Sequence, residues 1–121
     1  MEVPILKQGE ILIATVQAAL TDSDLLQLRC ALVEKVAQAR ARGIIIDVTA
    51  MDVMDSFASR TMREMAHMIR LRGAETVIVG IQPDVAFAMV QLGLSMGGMT
   101  AVDLEEGLEY LHRSLRGDPS R

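Results

Sequence analysis

The chain has 121 residues, half of them hydrophobic, and a formal net charge of −4. That length suits one domain with its own core and excludes two. Twelve basic residues against sixteen acidic ones argue against nucleic acid as the main ligand, because neutralising phosphates needs clustered Lys and Arg. Phe57, Phe87 and Tyr110 are the whole aromatic set, too few for a base-stacking platform, so the core must be aliphatic with nine Met as fillers. Cys30 is the only cysteine, which rules out an intramolecular disulfide, and its place in a helical pattern predicts a small buried apolar residue. The opening Met1-Glu2-Val3-Pro4 lacks the basic and apolar regions of a signal peptide, and no run approaches the ~20 apolar residues of a membrane span. The expected location is cytoplasmic, away from membranes.

Pro4 to Lys7 and Ile11 to Val16 are two short extended runs separated by a turn at Gln8-Gly9, the pattern of a hairpin. Thr21-Asp22-Ser23-Asp24 is dense in N-cap residues and opens a helix. Its inner face reads Leu25, Leu28, Leu32, Val36 and Ala39, with Gly43 as the C-cap. Ile44 to Val48 is a continuous β-branched run, as a strand covered on both faces would be. A second helix is predicted from about Ser56 to Arg72, with Ala58, Met62, Met65 and Ile69 inward and Gly73 as its stop.

Thr76 to Ile81 is the next buried strand. Pro83 opens a helix with Val85, Met89 and Leu92 inward and Gly93 at its end. A loop, Met96 to Met99, then leads to a brief strand, Thr100 to Val102. The last helix starts with a capping box of Asp103 and Glu106, and Leu104, Leu108, Leu111 and Leu115 make its apolar face. The order ββαβαβαβα predicts an α/β fold: a mixed, mostly parallel sheet of about five strands with helices packed on it. Residues 1–116 form this one domain, and residues 117–121 read as a disordered polar tail.

Most catalytic signatures are missing. No Walker-type glycine loop, dinucleotide fingerprint or nucleophile elbow occurs. His67 and His112 lie in no zinc-ligand pattern, and a single cysteine completes none, so neither a metal nor a cofactor is expected. No nucleophile–base pair can be nominated, and the chain reads as a non-enzyme. What remains is the segment Asp47 to Arg60, where three carboxylates and a serine lie between a buried strand and a helix. In parallel sheets the crevice beyond the strand C-termini is where sites are built. Ser56 falls there as N-cap or first-turn residue. Spacing alone leaves two readings open: Ser56 or Asp55 caps the helix, or a phosphate on Ser56 meets unpaired backbone N–H groups at the helix's positive end.

At this segment the chain resembles the STAS domains of bacterial anti-sigma-factor antagonists, and within them the single-domain, RsbS-type stressosome components. The residues that carry the likeness are Pro4-Ile5-Leu6-Lys7, Ile46-Asp47-Val48-Thr49, Asp55-Ser56-Phe57, Gly80-Ile81-Gln82-Pro83 and the stretch Asp103 to Glu109. The resemblance implies that Ser56 is phosphorylated by an RsbT-like GHKL serine kinase, which the unmodified protein binds and sequesters. Ser59, one turn on, has two readings, a secondary acceptor or, the simpler one, a first-turn residue of the helix; Asp47, Asp52 and Asp55 are expected to support the switch loop, with Asp55 orienting the Ser56 hydroxyl. The resemblance implies RsbR-like STAS paralogues with sensory N-terminal domains as partners in a large hetero-oligomer, together with self-association. Phe57 and Ala58 follow Ser56 where anti-sigma antagonists carry Ser or Thr and then Gly, which points toward the stressosome subgroup.

Two rivals share parts of this pattern. A STAS accessory subunit of a membrane transporter would need the fold and no phosphorylation. A receiver-like domain phosphorylated on Asp47 would need an acidic pair after the first strand, where Gln17-Ala18-Ala19 stands, and a late lysine, which is absent after Lys35.

Overall fold

A computed structural model describes residues 3–93 and 99–117. Nine elements follow in the order β1 (Ile5–Gln8), β2 (Ile11–Thr15), α1 (Asp22–Ala39), β3 (Gly43–Asp47), α2 (Ser56–Leu71), β4 (Glu75–Val79), α3 (Pro83–Leu92), β5 (Met99–Ala101) and α4 (Leu104–Leu115). The expected loop over 96–98 and most of the tail lie outside the described residues.

The five strands form one sheet in sequential order, β1-β2-β3-β4-β5. The β1–β2 hairpin is antiparallel, with Ile5 opposite Ala14. The other three pairings are parallel, running Ile13↔Ile45, Ile45↔Val77 and Val77↔Met99. Because each parallel crossover advances one strand in the same direction, right-handed connections place α1, α2 and α3 on one face of the sheet. The helix after β5 covers the other.

Side-chain alternation divides the core accordingly. Leu12, Ala14, Ile44, Ile46 and Ile78 pack with Leu25, Leu28 and Leu32 of α1, Met62, Met65 and Ile69 of α2, and Val85 and Met89 of α3. Ile11, Ile13, Ile45, Val77 and Val79 face the other way, onto Leu111 of α4. Strands buried on both faces need an unbroken apolar run, and Ile44-Ile45-Ile46 supplies it.

Several expectations need correction. Arg40, not Gly43, is the C-cap of α1, with φ 51° and ψ 40°. Gly43 instead starts β3, where a Cβ would sit 3.1 Å from Leu111 Cδ1, so the glycine admits α4 to the sheet. Gly107 does the same from the helix side, its missing Cβ falling 2.9 Å from Val79 Cγ1. Cys30 is exposed, because two residues beyond Leu28 the helix has turned about 200° away from its buried stripe. Leu92 and Leu104 are exposed as well, Leu92 as the last residue of α3 and Leu104 as the first of α4. Val102 falls just outside β5. Finally, Glu106 takes the backbone N–H of Val102 rather than that of Asp103, so the last helix has a capping arrangement displaced by one residue.

Candidate functional site

The parallel strands β2, β3 and β4 all end at the same rim, at Thr15, Asp47 and Val79. There the chain ties two of its loops together. Asp47 Oδ1 accepts hydrogen bonds from Thr49 N at 2.9 Å and from Thr49 Oγ1 at 2.6 Å, folding the strand end into a tight turn. Gln82 Nε2 donates to the Thr49 carbonyl at 2.6 Å, joining the loop after β4 to the loop after β3. Gly80 makes this approach possible. It has φ +81°, and a Cβ there would collide with Thr49 Oγ1 and stand 3.0 Å from Asp47 Oδ1. Residues 33 apart in sequence thus form one latch, and it fixes the base of the segment that leads to Ser56.

From the latch the segment runs along the rim to α2. Met51 N donates to the Val48 carbonyl at 2.9 Å. Met51 and Met54 insert into the core, leaving Asp52 and Val53 exposed between two buried anchors. Asp55 is the N-cap of α2, with extended φ/ψ, and its Oδ1 accepts from Ala58 N at 2.8 Å. Ser59 N donates to the Asp55 carbonyl at 2.9 Å.

Ser56 is therefore the first helical residue and not the cap. It is exposed, and among the described residues its hydroxyl has no hydrogen-bond partner. The backbone N–H groups of Ser56 and Phe57 precede the first intrahelical bond and point out of the helix start. Of the predicted loop supports, Asp47 and Asp55 hold backbone and hydroxyl donors. Asp52 is exposed and makes none of these contacts. Asp55 Oδ1 is occupied by Ala58 N–H, so its role is to start the helix on which Ser56 sits.

Ser59 is placed differently from Ser56. It is 1 % exposed, and its Oγ is buried without a hydrogen-bond partner among the described residues. A kinase reaches such a hydroxyl only if α2 opens, so the geometry counts against Ser59 as a second acceptor. Phe57 is half-buried against the core, and the Arg60 guanidinium lies 5.9 Å from its ring centroid.

Thr49, Gly80 and Gln82 belong to the site although no local pattern in the sequence assigns them a role. The signal was present in the Asp-x-Thr spacing and in a glycine directly after a strand, but only the parallel register of β3 and β4 shows that the two meet. Among the described residues, no group of three or more His, Cys, Asp or Glu side chains is arranged to hold a metal ion. No helix of the described residues is long and apolar enough to cross a membrane.

The profile of the STAS domain family matches residues 2–104. Among solved structures, a serine-to-glutamate variant of RsbS from Moorella thermoacetica superposes with a TM-score of 0.81 at 31% identity, covering 96% of this chain and 99% of that one. A chain from the stressosome, described as a signal integration and transduction hub, gives a TM-score of 0.72 at 30% identity, covering 93% of this chain and 99% of its own length. The curated relative RsbRA of Bacillus subtilis (strain 168), described as an RsbT co-antagonist protein, is 28% identical over 79 residues, 64% of this chain. The match spans 29% of RsbRA's own length.

Proposed function

Because this chain belongs to the STAS domain family and resembles RsbS over nearly its whole length, we propose that it is a non-enzymatic scaffold and signalling protein of a cytoplasmic stressosome, switched by phosphorylation of Ser56. In this reading the unmodified protein binds and sequesters an RsbT-like GHKL serine kinase, and it assembles with RsbR-like paralogues that carry sensory domains. Residues 1–116 act as the STAS domain, and removing residues 117–121 should leave the melting temperature unchanged.

The observation that carries the proposal is the division of labour at the start of α2. Asp55 caps the helix, which leaves the adjacent Ser56 hydroxyl exposed and without a structural duty. The kinase would transfer the γ-phosphoryl of ATP to Ser56 Oγ. A P–O bond to the serine forms, the bond to ADP breaks, and the hydroxyl proton leaves to a base on the kinase. The product phosphate adds about −1.5 to −2 charge at neutral pH. It would lie beside the free N–H groups of Ser56 and Phe57, in the favourable field of the helix N-terminus. The same charge, next to Asp52 and Asp55, would repel a kinase surface fitted to the neutral serine.

The test is kinase affinity measured by calorimetry for the wild type, Ser56→Ala and Ser56→Asp. The alanine variant should bind as the wild type does. The aspartate variant should bind at least ~10-fold more weakly, a change of about 1.4 kcal/mol. Equal affinity for all three would sink the charge mechanism.

A further inference from the structure

Arg60 follows Ser56 by four residues, one turn along the same face of α2. Side chains of a helix lean toward its N-terminus, and the Arg60 guanidinium does so, lying 5.9 Å from the ring centroid of Phe57 in the first turn. Phe57 packs against the core, whereas Arg60 is exposed. The ring is the fixed partner and the guanidinium the movable one.

The carboxylates closest to Arg60 along the chain are engaged elsewhere. Glu64, one turn on, is turned to Arg29 of α1 at 3.0 Å. Asp55 Oδ1 accepts from Ala58 N–H as the helix cap. Among the described residues Arg60 forms no ion pair, and its partner is the Phe57 ring. A cation over a partly exposed ring is held weakly. A phosphate within reach displaces that contact, because guanidinium and phosphate oxygens meet in charge-assisted, two-pronged hydrogen bonds.

We infer that Arg60 is the counter-ion of phosphorylated Ser56: on modification its guanidinium leaves the Phe57 ring and closes on the phosphate one turn back. The inference rests on the reading of Ser56 as a phosphoacceptor and adds what the modification does to the helix face. An acidic group placed four residues before a basic one is the favourable orientation in a helix. The phosphate arrives close to the carboxylates of Asp52 and Asp55, and Arg60 offsets part of that repulsion. The switch then alters two neighbouring features together. The unmodified protein presents a neutral serine beside a ring covered by a cation. The phosphorylated protein presents an ion pair beside an uncovered ring, so a partner fitted to the first surface loses both features.

The test uses the full chain with phosphoserine placed at residue 56 during translation, so it depends on no kinase. Melting temperatures of the unmodified and phosphorylated forms are compared for the wild type, Arg60→Gln, Arg60→Lys and a control, Arg70→Gln, about 21 Å along the helix from Ser56. Arg60→Gln should cost at least ~2 °C more in the phosphorylated form than in the unmodified one. Arg60→Lys should keep part of that difference, as a point charge without the fork. Arg70→Gln should show none, because solvent ions screen so distant a pair. In proton spectra the Phe57 ring signals should shift on phosphorylation of the wild type and far less in Arg60→Gln. An Arg60→Gln cost equal in the two forms, an equal difference in Arg70→Gln, or ring signals that move alike with and without Arg60 would each overturn the inference. A kinase that leaves Ser56 unmodified would instead overturn the switch reading, which this comparison does not use.

Discussion

Gly80→Ala should be far more damaging than an ordinary glycine replacement in a loop. Gly80 has φ +81°, so alanine there carries a left-handed penalty of ~1–2 kcal/mol. Its Cβ would also strike Thr49 Oγ1, the hydroxyl that donates to Asp47 at 2.6 Å. Breaking a hydrogen bond to a carboxylate costs about 1.5–3 kcal/mol, for a total of about 2.5–5 kcal/mol. At roughly 4 °C per kcal/mol for a chain of this size, the melting temperature should fall by ~10–20 °C. Gly73→Ala is the control, because Gly73 also has a positive φ, +88°, but its Cβ would meet nothing within 4 Å. It should lose only the backbone share, about 4–8 °C. Calorimetry of both variants isolates the latch. In a Thr49→Ala background the collision with Oγ1 is gone while contacts of 3.0 Å to Asp47 Oδ1 and 3.1 Å to the residue-49 Cβ remain, so the cost of Gly80→Ala should drop part of the way toward that of Gly73→Ala, a non-additivity expected of groups in contact. Equal losses for Gly80→Ala and Gly73→Ala would refute the latch as the element that holds the rim.

Three further substitutions probe the neighbouring geometry. Asp55→Ala should cost ~1 kcal/mol in urea unfolding through loss of the cap, whereas Ser56→Ala should stay within about 0.5 kcal/mol of wild type; the reverse order would make Ser56 the cap. Ser59→Ala removes a buried hydroxyl that has no partner, and it should leave the melting temperature unchanged or raise it by up to about 4 °C. A clear drop would reveal a partner for that hydroxyl. Gly107→Ala should destabilise despite a gain in helix propensity of ~1 kcal/mol, because its Cβ would fall 2.9 Å from Val79 Cγ1 and lift α4 from the sheet. Hydrogen exchange should quicken first in α4, and a more stable variant would contradict that packing.

The element order was legible because each type of burial leaves its own period. Ile44 to Val48 reads as a two-faced strand, and Ala58, Met62, Met65 and Ile69 read as one helix stripe; all four of these helical residues are buried. Where the sequence misled, tertiary contact had overridden a local rule. Gly43 looks like a helix stop, yet it starts β3 where Leu111, 68 positions away, packs so closely that a Cβ would stand 3.1 Å from its Cδ1. Arg40 takes the left-handed cap that Gly43 was expected to hold. Leu92 and Leu104 keep helical spacing but stand exposed at the termini of their helices, and spacing carries no information about which turns of a helix the rest of the fold covers.

The candidate site was half legible. Asp55 and Ser56 are adjacent, and both are good N-cap residues, so only backbone geometry could separate cap from first-turn hydroxyl. The Asp47–Thr49–Gly80–Gln82 latch depends on a register between two strands that no local pattern encodes.

The central claim is tested most directly by incubating the chain with an active RsbT-type GHKL kinase and ATP, then mapping phosphate by peptide mass spectrometry. A single phosphate on Ser56, absent from Ser56→Ala and unaffected by Ser59→Ala, is the predicted result. No phosphate on Ser56 from a kinase that modifies a control substrate would contradict the account and leave Ser56 as an ordinary exposed residue of the helix start.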